Sequence, residues 1–260
     1  MSAILIENDL VHYEVLGRGK PVLFLHSWIG SWRYWIPVMQ AASVGFRTYA
    51  LDMWGFGDTA KNQKYTIEDQ TQLIIQFLDK LGIFRIAVVG HGLGGLVALD
   101  LAKKMPDVVD RVFAIAVPFT NELITNRLLN SNAKEKIDYL FPLDLEMDTA
   151  SMDLSKIDQN AINSISVQSN LIEKISLENM KVNCLFVHGR NDPFILTPSL
   201  NILSQIPEFH HTIIFDQSGH FPMLEENSKF NRLLNDFLSL ESGKPMRDLR
   251  LKEEWIRRIR

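Results

Sequence analysis

Ala87-Val88-Val89-Gly90-His91-Gly92-Leu93-Gly94-Gly95 decides how this chain is read. An apolar run with strand character meets a glycine-rich turn, and residues 94–104 beyond it carry a helical pattern. A strand–turn–helix of this form is written G-x-S-x-G when a serine stands at its apex, held clear of the backbone for attack. Here the apex is Gly92, which has no side chain. The frame of a nucleophilic site is present and the attacking atom is absent.

Outward from this stretch, short apolar runs alternate with longer helical patterns. Such alternation argues for a mostly parallel sheet covered on both faces. Strands are expected at residues 3–6, 11–15, 21–25, 48–51, 86–89, 112–117, 183–187 and 211–215. The run PVLFL at 21–25 is apolar throughout, as a buried central strand requires. Helices are expected at 31–40, from a capping box at Thr66 to Leu81 with Gly82 as its stop, at 94–104, near 198–205 and at 229–240. Between Phe119 and Met180 the strand pattern gives way to Asn, Ser, Asp, Leu and Ile. That segment reads as a helical lid inserted into a core made of residues 1–118 and 181–240. Residues 241–260 form a basic amphipathic tail with Leu251, Trp255, Ile256 and Ile259 on one face. Docking on the protein's own body or on a second subunit, as a homodimer, suits it better than a membrane surface.

The chain has 260 residues, 46% of them hydrophobic and 22% charged, enough for one domain with a sizeable core. A formal net charge of -4 gives no reason to expect nucleic acid. No basic start followed by an apolar run marks a secretory signal, and no apolar stretch reaches the roughly 18 residues of an integral membrane span. The single cysteine, Cys184, fits a reducing compartment, and the expected location is cytoplasmic.

Four stretches fall at the ends of expected strands, where open α/β sheets build their sites. They are His26-Ser27-Trp28 after PVLFL, Gly92 at the apex, Asp192 in HGRNDP and His220 in QSGHFP. Their order along the chain is nucleophile position, acid, histidine. In this the sequence resembles the α/β-hydrolase superfamily, in its lid-bearing branch of esterases, lipase-like enzymes and C–C hydrolases. LDMWGFGDT at 51–59 looks like that family's D-x-x-G-x-G-x-S loop. The resemblance covers residues 10–240. It implies the α/β-hydrolase fold, a mostly parallel twisted sheet with helices on both faces and a small helical lid.

The resemblance also assigns roles. His220 is the base and Asp192 holds its imidazole in the productive tautomer. The amides of Trp28 and Leu93 correspond to the oxyanion hole, with Ser27 and His91 beside them on the substrate side. Ser27 would touch a ligand or make a local backbone hydrogen bond, and its place on the oxyanion wall argues against a nucleophilic role. Gly92 excludes covalent serine catalysis at the apex, and the aspartate some relatives use there is equally absent. Cys184 lies in an apolar strand and reads as an inert buried thiol. The aromatic group Trp28, Trp32, Tyr34, Trp35 and Trp54 suits core packing. Whichever members line a pocket, with Phe119, Phe221 and Met223, would select a small apolar or aromatic ligand. No cofactor and no metal are expected. Three functions fit: a hydrolase-type enzyme for a small apolar ester or carbonyl compound using His220 and Asp192 alone, a noncatalytic binding protein, and an inactive Ser-to-Gly form of an ordinary esterase.

Overall fold

The computed structural model describes residues 2–140, 153, 155–167, 177, 180–207 and 210–241. Eight strands form one sheet in the order β1-β2-β4-β3-β5-β6-β7-β8. They are β1 (Ser2–Ile6), β2 (Asp9–Leu16), β3 (Lys20–Leu25), β4 (Phe46–Leu51), β5 (Ile86–His91), β6 (Val109–Ile115), β7 (Asn183–Gly189) and β8 (His211–Phe215). β2 runs antiparallel to β1 and β4, and every pairing from β4 through β3 to β8 is parallel. Every residue of β5 is buried, so consecutive side chains that point to opposite faces are all covered. The covering helices include α1 (Ile36–Ala42), α2 (Ile67–Leu81) and α3 (Leu93–Lys104). They continue with α4 (Asn126–Asn130), α5 (Ala133–Leu140), α6 (Gln159–Val167), α7 (Leu200–Leu203), α8 (Pro222–Glu225) and α9 (Asn227–Ser239). α1 packs on α9, and α2 on α3. No helix among the described residues is long and apolar enough to cross a membrane.

Local chemistry explains the elements that bear on the site. The Thr66 side chain accepts from the Asp69 amide while the Asp69 carboxylate accepts from the Thr66 amide, which closes the capping box of α2. Gly82 ends that helix in the left-handed region at φ 64°. The turn from β5 into α3 depends on close approach. A β-carbon on Gly94 would overlap the Leu25 carbonyl, and the Gly94 amide donates to the His26 carbonyl at 3.0 Å. The helix therefore starts directly against the end of β3.

Three expected elements change. Residues 31–40 are not one helix: a 3-10 turn, Trp32–Trp35, precedes α1. Pro37 sits in the first turn of α1, where its missing N–H costs no helical bond, and so the helix restarts there. β6 stops at Ile115 because Ala116 turns to φ 50°. The helix near 198–205 shortens to α7, which Ser199 caps and which ends ahead of Pro207. In the segment expected to be a lid, a 3-10 turn at Asn121–Leu123 and helices α4, α5 and α6 are described. Its residues 141–152, 154, 168–176 and 178–179, like 242–260 of the expected tail, lie outside the described residues.

Candidate active site

The loops that leave β3, β5, β7 and β8 converge at one end of the sheet. His220 follows β8, and its Nδ1 lies 2.8 Å from Asp192 Oδ2, with both side chains buried. The other carboxylate oxygen of Asp192 accepts from the amides of Phe194 and Ile195 at 2.8 and 3.1 Å. Asp192 is thus fixed by its own turn before it meets the imidazole. A carboxylate on Nδ1 keeps the proton there and leaves Nε2 as the basic nitrogen.

Two residues position His220 through its backbone, and neither role is visible in the sequence. Glu225 Oε2 accepts from the Gly219 amide at 2.5 Å and Oε1 from the Phe221 amide at 2.9 Å, so one carboxylate clamps both neighbours of the histidine. His91 donates from Nε2 to the His220 carbonyl at 2.9 Å, and the two rings lie 4.5 Å apart. Burial, followed by the charge of His220, holds the His91 imidazole well below the usual histidine range. His91, expected beside the substrate, instead supports the loop that carries the base.

Gly92 adopts φ 49° and ψ -111°, a conformation that strains any residue with a β-carbon. A β-carbon placed there would fall on Ser27 Oγ, far inside van der Waals contact, and 3.1 Å from both Ser27 Cβ and Trp28 Cζ3. The Ser27 hydroxyl stands where a residue at the apex would begin its side chain. The loop that carries it is held by His26, whose Nε2 accepts from the Met53 amide at 3.0 Å. The proton of His26 is therefore on Nδ1, which donates to the Ser27 carbonyl at 2.8 Å. The Ser27 hydroxyl and the amides of Trp28 and Leu93 have no hydrogen-bond partner among the described residues.

Ser27, Trp28 and His220 share a narrow cavity with Ile29, Phe194 and three residues from the 119–180 segment, Leu128, Lys136 and Leu140. Its volume is about 10 Å³, the space of a single water. Ile29, Leu128, Lys136, Leu140 and Phe194 were not expected as wall residues. Phe119 and Phe221 were expected near the ligand and lie off this wall. Phe119 packs edge-on against Phe186, and Phe221 stacks on Tyr34. Of the aromatic group, Trp28 lines the cavity while Tyr34, Trp35 and Trp54 are buried in the core. Cys184 is fully buried and free, and burial pushes its thiol far up, away from reactivity.

One group of side chains away from this cavity has the composition of a metal site: His12, Asp52 and Asp58. Asp52 already accepts from His12 Nδ1 and from the amides of Trp32 and Asp58, and Asp58 is paired with Lys156 and Arg33. These partners account for the carboxylates without an ion.

Residues 20–159 match the family model described as the alpha/beta hydrolase fold. Over 255 residues the chain is 26% identical to 2-hydroxy-6-oxo-2,4-heptadienoate hydrolase of Pseudomonas putida, with 87% of this chain and 91% of that protein covered. It is 21% identical over 252 residues to the pimeloyl-[acyl-carrier protein] methyl ester esterase of Vibrio cholerae, covering 87% and 97%. Among solved structures, the enol-lactonase from Burkholderia xenovorans superposes with a TM-score of 0.79 at 20% identity, over 92% of this chain and all of that one (100%).

Proposed function

Because the chain belongs to the α/β-hydrolase family, we propose that it is a hydrolase-type enzyme for a small, largely apolar ester or carbonyl compound, working through His220 and Asp192 without a nucleophile at the apex. One observation carries this reading. The Asp192–His220 pair is intact at 2.8 Å, and His220 lines one cavity with Ser27, whose hydroxyl fills the space of the missing side chain. An idle site has no reason to keep a buried carboxylate fixed by two amides and an imidazole loop clamped by Glu225 and His91. In the proposed reaction His220 Nε2 takes a proton from a water or from the bound compound. The free amides of Trp28 and Leu93 receive the charge that develops on the carbonyl oxygen, and the Ser27 hydroxyl donates to the same compound. By their names the relatives act on a 6-oxo-heptadienoate, a methyl ester and, in RutD of Stutzerimonas stutzeri, a carbamate. The common denominator is a carbonyl group. The lone, buried cysteine suits a cytoplasmic setting.

A second reading has its own support: Ser27 itself is a displaced nucleophile, since its hydroxyl lies against the apex instead of turning along the oxyanion wall. A fluorophosphonate probe separates the two. Under the general-base reading the native protein turns over short p-nitrophenyl esters slowly, His220→Ala abolishes this, and no serine is labelled. Labelling at Ser27 replaces that reading with the second. Absence of turnover with every ester tried, and a His220→Ala variant altered only in ligand affinity, overturns both in favour of a binding protein.

A further inference from the structure

Val22, Ala87 and Arg111 stand side by side on one face of the sheet, because β3, β5 and β6 pair in that register. Ala87 has the shortest side chain of the three, and the last turn of α9 lies over the group. Arg111 Nη1 donates to the Phe237 carbonyl at 2.6 Å, and its guanidinium is 5.6 Å from the centre of the Phe237 ring. A cavity of about 270 Å³ remains beside them, with apolar walls from Val22, Phe46, Ile86 and Leu238. It lies where these strands begin, at the opposite end of the sheet from the loops that bring Ser27, Asp192 and His220 together.

The charged residues around this cavity are three cations, Lys20, Arg85 and Arg111, and one carboxylate, Asp110. Both oxygens of Asp110 are committed. Oδ1 accepts from Arg85 Nε and Nη2 at 3.0 and 2.6 Å, and Oδ2 accepts from Arg111 Nε at 2.6 Å. The Arg111 side chain is only 7% exposed and is tied on two of its nitrogens. Its third nitrogen, Nη2, has no acceptor among the described residues and is not sealed from solvent, so its two N–H groups meet the space that the residue lines. A guanidinium locked in this way presents a planar donor edge with little rotamer freedom left to lose on binding. Capping α9 and pairing with Asp110 account for Nη1 and Nε. Neither task needs an apolar cavity beside Nη2. An apolar enclosure with a few fixed polar groups is the usual form of a small-molecule site.

We propose that this cavity is a second ligand site, for a small anion with an apolar body such as an aromatic carboxylate. The Arg111 guanidinium takes the carboxylate, the exposed Arg85 and Lys20 add charge at the rim, and the ring lies against Val22, Phe46 and Leu238. The proposal is independent of the reaction assigned to His220.

Amide NMR of the full chain at pH 7 tests it, because the shifts locate a ligand as well as measure its affinity. Benzoate and benzamide share a shape and differ in charge. Benzoate is expected to shift the amides of Ile86, Ala87, Arg111 and Leu238 and to bind about tenfold more tightly than benzamide, a ratio equivalent to 1.4 kcal/mol. Arg111→Gln should abolish that preference, and Ala87→Leu, which fills the cavity without changing its charge, should weaken both probes. Because Arg111 also ties Asp110 to α9, a thermal melt checks its variant. Where Arg111→Gln does not fold, Lys20→Gln combined with Arg85→Gln takes its place and should lower the preference several-fold. Shifts gathered around Ser27 and His220, equal binding of the two probes, or a preference that the charge variants retain overturns the second site. Inorganic phosphate binding as tightly as benzoate also overturns it, since the apolar walls would then contribute nothing.

Discussion

At the scale of single residues the site is a matched pair of departures. Gly92 removes a side chain and Ser27 puts a hydroxyl into the space it leaves. The pairing argues against an ordinary serine hydrolase with one changed residue. Gly92→Ser alone must bring a β-carbon onto Ser27 Oγ at φ 49°, which costs on the order of 1–3 kcal/mol in overpacking and a similar amount in backbone strain. Gly92→Ser combined with Ser27→Gly relieves the overlap. We expect strong fluorophosphonate labelling and a rise in p-nitrophenyl acetate hydrolysis of about a hundredfold or more in the double variant, with a depressed melting temperature and weak labelling in the single one. Equal labelling of the two would show that the Ser27 hydroxyl does not hold that space. His220, Asp192 and Gly92 were legible in the sequence because each follows an apolar strand in a fixed order. The position of the Ser27 hydroxyl was not, since one rotatable bond decides it. Glu225 escaped for a different reason. It acts on the backbone amides of Gly219 and Phe221, which leaves no pattern in its own neighbourhood.

At the scale of elements, the strands were read well and the short helices poorly. Every expected strand exists within a few residues, because a run such as PVLFL has to be buried on both faces. The α2 helix was equally legible because its ends are written in side chains: Thr66 and Asp69 at the start, Gly82 at the stop. The 31–40 segment defeated the reading because Pro37 can open a helix as readily as interrupt one. The capping reading itself is testable in isolation, since the Thr66–Asp69 box lies at the surface, away from the cavity. Thr66→Ala removes the acceptor for the Asp69 amide and should cost about 1 kcal/mol in urea unfolding, while Thr66→Ser should be nearly neutral. Turnover of any ester should be the same in both. A Thr66→Ala protein as stable as the native one would mean that α2 is held by its packing on α3 alone.

At the scale of the whole molecule, the sheet buries several histidines as neutral rings, and this sets how the protein meets acid. Both ring nitrogens of His188, at the end of β7, lack partners among the described residues, and burial lowers its pKa to about 4, with the Asp192 charge opposing. Burial takes His210 to about 4 as well, and lowers His26 and His91. Each of these groups binds its proton less readily in the folded chain than in the unfolded one. The stability they contribute is therefore fully present above the unfolded value near 6.5. It is lost as pH falls toward 4, by up to about 1.4 kcal/mol per pH unit for each ring. His12 opposes them. Burial lowers it, but the hydrogen bond and charge of Asp52, with Asp58 and Glu14, outweigh that and raise it. Its contribution is present below the unfolded value and fades as pH rises through the folded one. Four rings against one predict that unfolding free energy drops steeply between pH 7 and pH 5. His188→Leu removes one proton from that balance together with two unsatisfied nitrogens, so it should flatten the acid limb and leave stability at pH 7 equal or higher. Urea titrations of both proteins at half-unit steps decide the matter. A native profile flat from pH 7 to 5, or a slope that His188→Leu leaves unchanged, would show that these rings take up protons in the folded state and that the end of β7 beside Asp192 is wetter than its burial implies.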